Sequence, residues 1–321
     1  MDRLLLRLKG AKAPLSGTTL AQGLGVTRAA IHKRIQKLRN AGHRIGGTNR
    51  VGYQWAGSSN RFDPQTLKRG MVTNVIHFPV IGSTQDEAKS RASQGAPEGT
   101  LLIADRQTSG RGRLGRSWIS PKGGLWFSLI LRPPVRPDHV PGLTLVAALD
   151  WVETLRARGV QAEVKWPNDV WADGKKIAGI LTEMSAETDR VHWVALGVGV
   201  NVNNRAPTST AVPATAVSAW TGAIALGDLM EDWLERFTKS YARFCSSGFA
   251  PFRSAYEKRS LLSGALITFE GPQGKSSGRV KSIDAFGRLR VSTAQGDVVC
   301  LGGEVSLLRP VDRKTVKKGN S

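Results

Sequence analysis

Cysteine is scarce in this chain: Cys245 and Cys300 are the only two among 321 residues. Two cysteines alone make neither a disulfide framework nor a thiolate metal spacing, and they point to a reducing, cytoplasmic setting. Histidine is nearly as rare, and the five present are scattered, with no cysteine near any of them and no second histidine at zinc-ligand spacing. No apolar run reaches the length of a membrane span, and the opening MDRLLLRLKG is too short and too charged for a signal peptide, so no membrane partner is expected. Acid is also in short supply. Twenty-five Asp and Glu face 46 Lys and Arg, a net charge of +21. With 40% hydrophobic residues the chain is long enough for two or three ordinary globular domains.

The acid deficit is uneven. Residues 1–60 hold eleven Lys and Arg against the single acid Asp2, and a basic domain of that kind points to a phosphate-rich partner. Residues 18–24 have a hydroxyl start and helical character, Gly25-Val26 makes a turn, and Thr27 can cap a second helix running through Arg39. On that helix Ile31, Ile35 and Leu38 form one buried stripe, which leaves Arg28, His32, Lys33, Gln36 and Lys37 facing out. After Ala41-Gly42, HRIGGTNRVGYQW offers two extended stretches around a turn, the layout of a wing with Asn49 and Arg50 at its tip. Together these make a winged helix-turn-helix whose second helix enters a major groove. A protein-binding three-helix adaptor is the competing reading; the cationic face favours DNA.

Residues 107–118 read QTSGRGRLGRSW, with Arg111, Arg113 and Arg116 threaded between Gly110, Gly112 and Gly115. The string matches G-x-G-x-x-G, yet the dinucleotide fingerprint needs a helix at its end and a carboxylate about twenty residues on. Pro121 and two glycines forbid that helix, and no acid stands around residues 131–136. No Walker A motif is present either. Two readings remain, a solvated basic turn or a cationic loop that closes on an anion; crowding three arginines favours the anion.

Around this loop the pattern is α+β. Strands are expected at 75–80, 100–104, 125–131, 162–166, 176–181 and 193–203, with a hairpin turn at Asp173-Gly174. Helices are expected from near Glu87, over 142–158 and over 227–244. From Gly264 short strands alternate with turns, as in a small SH3-like β barrel. The domain limits that follow are 1–60, a linker at 61–73 with a short helix in it, 74–262, 263–310, and a basic, disordered tail at 311–321.

Two further strings, Lys165-Trp166-Pro167-Asn168-Asp169 and Lys176-Ile177-Ala178-Gly179, join GRGRLGR and the pair Ser83-Thr84. Four motifs in this order resemble the biotin protein ligase family over residues 75–309, and with the helix-turn-helix the chain resembles its bifunctional ligase/repressor form. The resemblance implies a central mixed-sheet ligase domain of the class II aminoacyl-tRNA synthetase-like type. It implies biotin and ATP as substrates, Mg²⁺, biotinyl-AMP as intermediate, and transfer to a lysine of the biotin carboxyl carrier protein of acetyl-CoA carboxylase. Operator DNA and a homodimer of the adenylate-bound protein follow in the same way.

By that match Arg111, Arg113 and Lys176 are the catalytic cations on the biotin carboxylate and α-phosphate. Ser83, Thr84 and Gln107 hold the ureido ring, and Gly110 and Gly179 let backbone approach it. Arg116, Trp118, Lys165 and Asn201 fall to the adenylate, and Asp169 to the metal. Two departures stand out. Gln85 occupies a place where the family commonly has asparagine, and the C-terminal Gly302-Gly303-Glu304-Val305-Ser306-Leu307 is followed by Leu308, with Arg309 one place late. A one-residue slip on a strand reverses the face, so Glu304 and Arg309 carry over only as outlying adenylate contacts. A lipoyl-type adenylating ligase and a ligand-sensing transcription factor without ligase activity are the alternatives.

Overall fold

The structure, a computed structural model, describes residues 3–48, 50–58, 60, 63–208, 212–271, 274–303 and 305–309. Asn49, Glu304 and the 311–321 tail lie outside them, and Arg309 is described in its backbone only.

Helices α1 (Arg3–Gly10), α2 (Gly17–Leu24) and α3 (Arg28–Asn40) precede the hairpin β1 (His43–Thr48) and β2 (Gly52–Ser58). Thr27 caps α3 by accepting from Ala30 N at 3.2 Å, and Ile31, Ile35 and Leu38 are buried as their spacing requires. The first helix was not anticipated. Leu4, Leu5 and Leu8 turn inward onto Leu20, Ile35 and Tyr53, while Arg3, Arg7 and Lys9 stay out, so a charged string hides one apolar face.

The linker is not a loose tether: Asp63 caps a short 3-10 turn, Pro64–Leu67, and Leu67 and Val72 are buried in the central core. Beyond it come β3 (Asn74–Phe78), α4 (Thr84–Ser93), β4 (Thr100–Ala104), β5 (Leu125–Leu131), α5 (Val140–Arg156), β6 (Ala162–Lys165), β7 (Asp169–Ala172), β8 (Lys175–Ala186) and β9 (Val191–Val200). The seven strands form one mixed sheet, β3-β4-β5-β9-β8-β7-β6, in which only β3 and β4 run parallel. Expected and observed strands agree within a few residues. At the β7–β8 turn Asp173 and Gly174 have φ of 50° and 68°, as a tight hairpin of twisted strands demands.

Short α6 (Ser218–Thr221), long α7 (Leu226–Ser247) and α8 (Arg253–Arg259) complete the helices. The sheet is covered on both faces. Leu101, Ile103, Phe127 and Leu129 point to α5 and α7, whereas Leu102, Ile130 and Ala195 pack under Ala88 and Ala92 of α4. That is why β5 is apolar almost throughout, with Ser128 the exception. Strands β10 (Leu266–Gly271), β11 (Gly274–Ile283), β12 (Leu289–Thr293), β13 (Gly296–Cys300) and β14 (Val305–Arg309) make an antiparallel sheet ordered β13-β12-β11-β10-β14. Its apolar residues are continuous with the central core, and Gly287 (φ 84°) sits against Leu145 of α5 where a side chain would collide.

Candidate functional site

The arginine loop, the ends of β6, β8 and β9, and the start of β14 enclose a cavity of about 510 Å³, a volume suited to a cofactor-sized ligand. Thr84, Gln107, Arg111, Arg113, Arg116, Trp118, Lys165, Asp169, Lys176, Gly179 and Asn201 all line it. Five cations therefore converge, and Asp169 is the single carboxylate among the described lining residues.

The loop folds back on itself: Gly112 N donates to Arg116 O at 2.7 Å and Trp118 N to Gly110 O at 2.9 Å. Its tip is Leu114-Gly115, and Leu114 has φ of 55°, uncommon for a side-chain-bearing residue, and is exposed. Arg113 crosses the cavity, donating from Nη1 to Asn168 Oδ1 at 3.1 Å and from Nη2 to Gly303 O at 3.4 Å. Arg111 turns the other way, its Nε 2.9 Å from Asp86 Oδ2. On the floor, Lys176 Nζ stands 2.7 Å from Asp169 Oδ1 and 5.1 Å above the Trp118 ring centroid. Lys165 Nζ lies 4.3 Å from the Trp171 ring. Below, the phenol of Tyr256 is fully buried without a hydrogen-bond partner, and burial, with the Asp169 charge adding to it, pushes its ionisation well up.

The polar floor is preassembled. Thr84 N and Oγ1 donate to Gln107 Oε1 at 2.7 and 2.9 Å, and Gln107 Nε2 donates to Ser120 Oγ at 2.8 Å. Asn201 is 2% exposed, and its Oδ1 accepts from Asn204 Nδ2 at 2.9 Å.

Two candidates sit differently from expectation. Ser83 is buried outside the lining, where its Oγ caps α4 by accepting from Gln85 N and Asp86 N. Gly110 is also behind the wall: a Cβ there would stand 2.5 Å from Trp118 O. At Gly179 the spare room is taken by the Trp118 ring, 3.1 Å from where a Cβ would be, and Gly199, not singled out from the sequence, abuts the same indole. These glycines seat the loop on the sheet. Also missed were Ser128 and Asn168, whose partners lie far off in sequence. Glu304, Arg309 and Asn49 are not placed by the described side chains.

A second surface lies on the N-terminal domain. Thr27, Arg28, His32, Lys33, Gln36, Lys37 and Arg50 are all exposed. Lys37 also reaches Glu231 on α7, 3.6 Å away, while His43 Nε2 meets Asp228 Oδ2 at 2.6 Å and Gly227 N donates to Ala41 O. The domain thus docks on the start of α7 with the Arg28, His32, Lys33 and Gln36 face of α3 exposed.

Residues 77–201 match the model of the biotin/lipoate A/B protein ligase family, and residues 1–54 that of an HTH domain. The chain is similar to the bifunctional ligase/repressor BirA of Bacillus subtilis, at 38% identity over 88% of this chain and 90% of that protein. To the bifunctional ligase/repressor BirA of Escherichia coli it is 30% identical over 91% of this chain and 92% of that protein. Among solved structures, the biotin protein ligase of Aquifex aeolicus in complex with biotin and ATP superposes with a TM-score of 0.64 at 32% identity, covering 74% of this chain and 99% of that one.

Proposed function

Because the chain belongs to the biotin/lipoate A/B protein ligase family, we infer that it is a bifunctional biotin protein ligase and DNA-binding repressor, with biotin and ATP as substrates. The observation that carries the chemistry is the convergence of five cations on a cavity whose floor is a fixed Thr84–Gln107 pair. A biotin carboxylate oxygen attacks the α-phosphorus, the new P–O bond forms, and pyrophosphate leaves. A lysine amine of the carrier protein then attacks the acyl carbon, AMP departs, and the amine loses a proton. The first step brings two anions together and the second develops negative charge on the acyl oxygen and the departing AMP, and cations held in place before reaction stabilise that charge.

Arg111, Arg113 and Lys176 take the carboxylate and α-phosphate in this reading, with Arg116 and Lys165 on the remaining phosphates. Thr84 and Gln107 orient the ureido end, and Trp118 and Asn201 receive the adenosine. Asp169, ion-paired through Oδ1 with Lys176, is the one carboxylate among the described lining residues, and one carboxylate fits a Mg²⁺ bound mainly through nucleotide phosphates. The ion would neutralise phosphate charge as pyrophosphate leaves.

The mixed sheet with helices on both faces supports a class II synthetase-like domain, and the five short antiparallel strands support an SH3-like C-terminal barrel. One helix-turn-helix per chain supports a homodimer on a palindromic operator. No helix among the described residues is long and apolar enough to cross a membrane.

Pyrophosphate exchange is expected with biotin and absent with lipoate; exchange with lipoate alone makes the chain a lipoyl-type ligase. For the repressor, neutralising Lys33 as Lys33→Ala is expected to weaken operator binding and reduce the slope of log K against log salt by about 1. An unchanged slope would take Lys33 off the phosphate backbone.

A further inference from the structure

The Arg111–Asp86 pair belongs to a circuit. Asp86 Oδ1 is 3.6 Å from Lys89 Nζ, which is 2.7 Å from Glu183 Oε1. The other oxygen of Glu183 accepts from Gln85 Nε2 at 2.9 Å, and Gln85 Nε2 also donates to Ala195 O at 3.1 Å. Ser128 Oγ lies 3.0 Å from Gln85 Oε1 and 3.1 Å from Thr84 Oγ1, and from Thr84 the chain of contacts runs through Gln107 and Ser120 to Trp118 O. Both ends of the arginine loop are thereby tied to one polar floor.

In this circuit Gln85 has each of its amide groups engaged within the protein, so it braces the floor. Asp86 is different. Its carboxylate stands beside the cavity and takes a guanidinium that lines it. Removing Arg111 from Asp86 would not strand the acid, because Lys89 stays within reach and Glu183 and Asp86 together hold its ammonium charge in place, raising its pKa. The exchange is inexpensive for a second reason: Arg111 and Asp86 are 52% and 42% exposed, and solvent-exposed pairs are weak.

We propose that Asp86 is a positioning residue that competes with the substrate's carboxylate for Arg111, so that it sets how strongly the site prefers an anionic ligand over its neutral analogue. This rests on the placement of Arg111 at the biotin carboxylate. Asp86 and the ligand carboxylate are alternative acceptors for one guanidinium, and Lys89 takes over Asp86 when the ligand wins.

The test is the affinity of the full chain for biotin and for uncharged biotin amide, in wild type and Asp86→Asn. The isosteric change on a half-exposed helical turn keeps the α4 cap at Ser83. Asp86→Asn is expected to tighten biotin about two- to five-fold, the range an exposed ion pair allows, and to leave the amide unchanged. In an Arg111→Ala background the same change should have no effect on biotin. Equal shifts for both ligands, no shift, weaker biotin binding, or a gain that persists without Arg111 each overturn the proposal. Biotin-dependent pyrophosphate exchange by the wild type reports separately on the ligase reading.

Discussion

Replacing Arg113 with alanine is expected to lower kcat/KM for biotin-dependent pyrophosphate exchange by about 10² to 10³, the loss usual when a preorganised charge donor is removed. The geometry gives the reason. Arg113 leaves the loop, donates to Asn168 beyond β6, and reaches Gly303 at the edge of the C-terminal sheet. One guanidinium thus supplies charge to the cavity and links three segments around it. Its removal should cost rate and also retention, so biotinyl-AMP that does form should appear in solution, where the mixed anhydride is exposed to water. Arg113→Lys separates the two effects. A lysine keeps the charge and lacks the fork, so exchange should recover in part while release of the adenylate persists. Rapid quench with chromatography of free biotinyl-AMP measures both. If Arg113→Ala loses biotin affinity with no change in turnover of the bound ligand, the side chain is a binding group alone, as in a sensor without ligase activity.

The parts of this molecule legible in the sequence are those whose causes are local. The stripe Ile31, Ile35, Leu38 and its cap Thr27 lie within twelve residues, and α3 follows directly. Asp173-Gly174 likewise announces its own turn. What escaped has its cause at a distance. Leu67 looks like a linker residue until β3 and α7 close over it, and Gln85 looks like a defect in a motif until Glu183, 98 positions on, is placed against it. The setting of the glycines is hidden for the same reason: the nearest atom to the missing side chain of both Gly110 and Gly179 belongs to Trp118, a neighbour that only the folded sheet brings near, while Gly179 also lines the cavity. Motif order located the cavity; which side of each residue faces it depended on pairing between strands.

Far from the cavity, Asp150 is expected to make the ligase domain less stable as pH rises, and Asp150→Asn to remove most of that dependence. Asp150 lies on α5, 8% exposed, with Oδ1 accepting from Ser240 Oγ at 3.0 Å and Oδ2 unpartnered. Burial is the main cause that raises its pKa from 3.8 to about 7; the Ser240 hydrogen bond and the charge of Arg236 oppose it, and Glu153 adds to it. The folded state therefore holds the proton more tightly than the unfolded chain. Below pH 3.8 both states are protonated and stability is unaffected; as pH rises to about 7 the unfolded chain ionises first, and stability falls. At about 1.4 kcal/mol per pH unit the full loss is about 4 kcal/mol. Asparagine brings its own cost, an amide placed where Oδ2 has no partner, on the order of 1–3 kcal/mol. That cost does not depend on pH. The difference in unfolding free energy between Asp150→Asn and wild type should accordingly grow by about 4 kcal/mol from pH 4 to pH 8, whatever its starting sign. Urea titrations followed by tryptophan fluorescence suit the measurement, because Trp151 and Trp233 stack at 5.3 Å in the same α5–α7 interface. A difference that stays flat over that range would mean that water or a shifted side chain solvates the carboxylate, and that α5 and α7 pack less tightly there than their buried aromatics require.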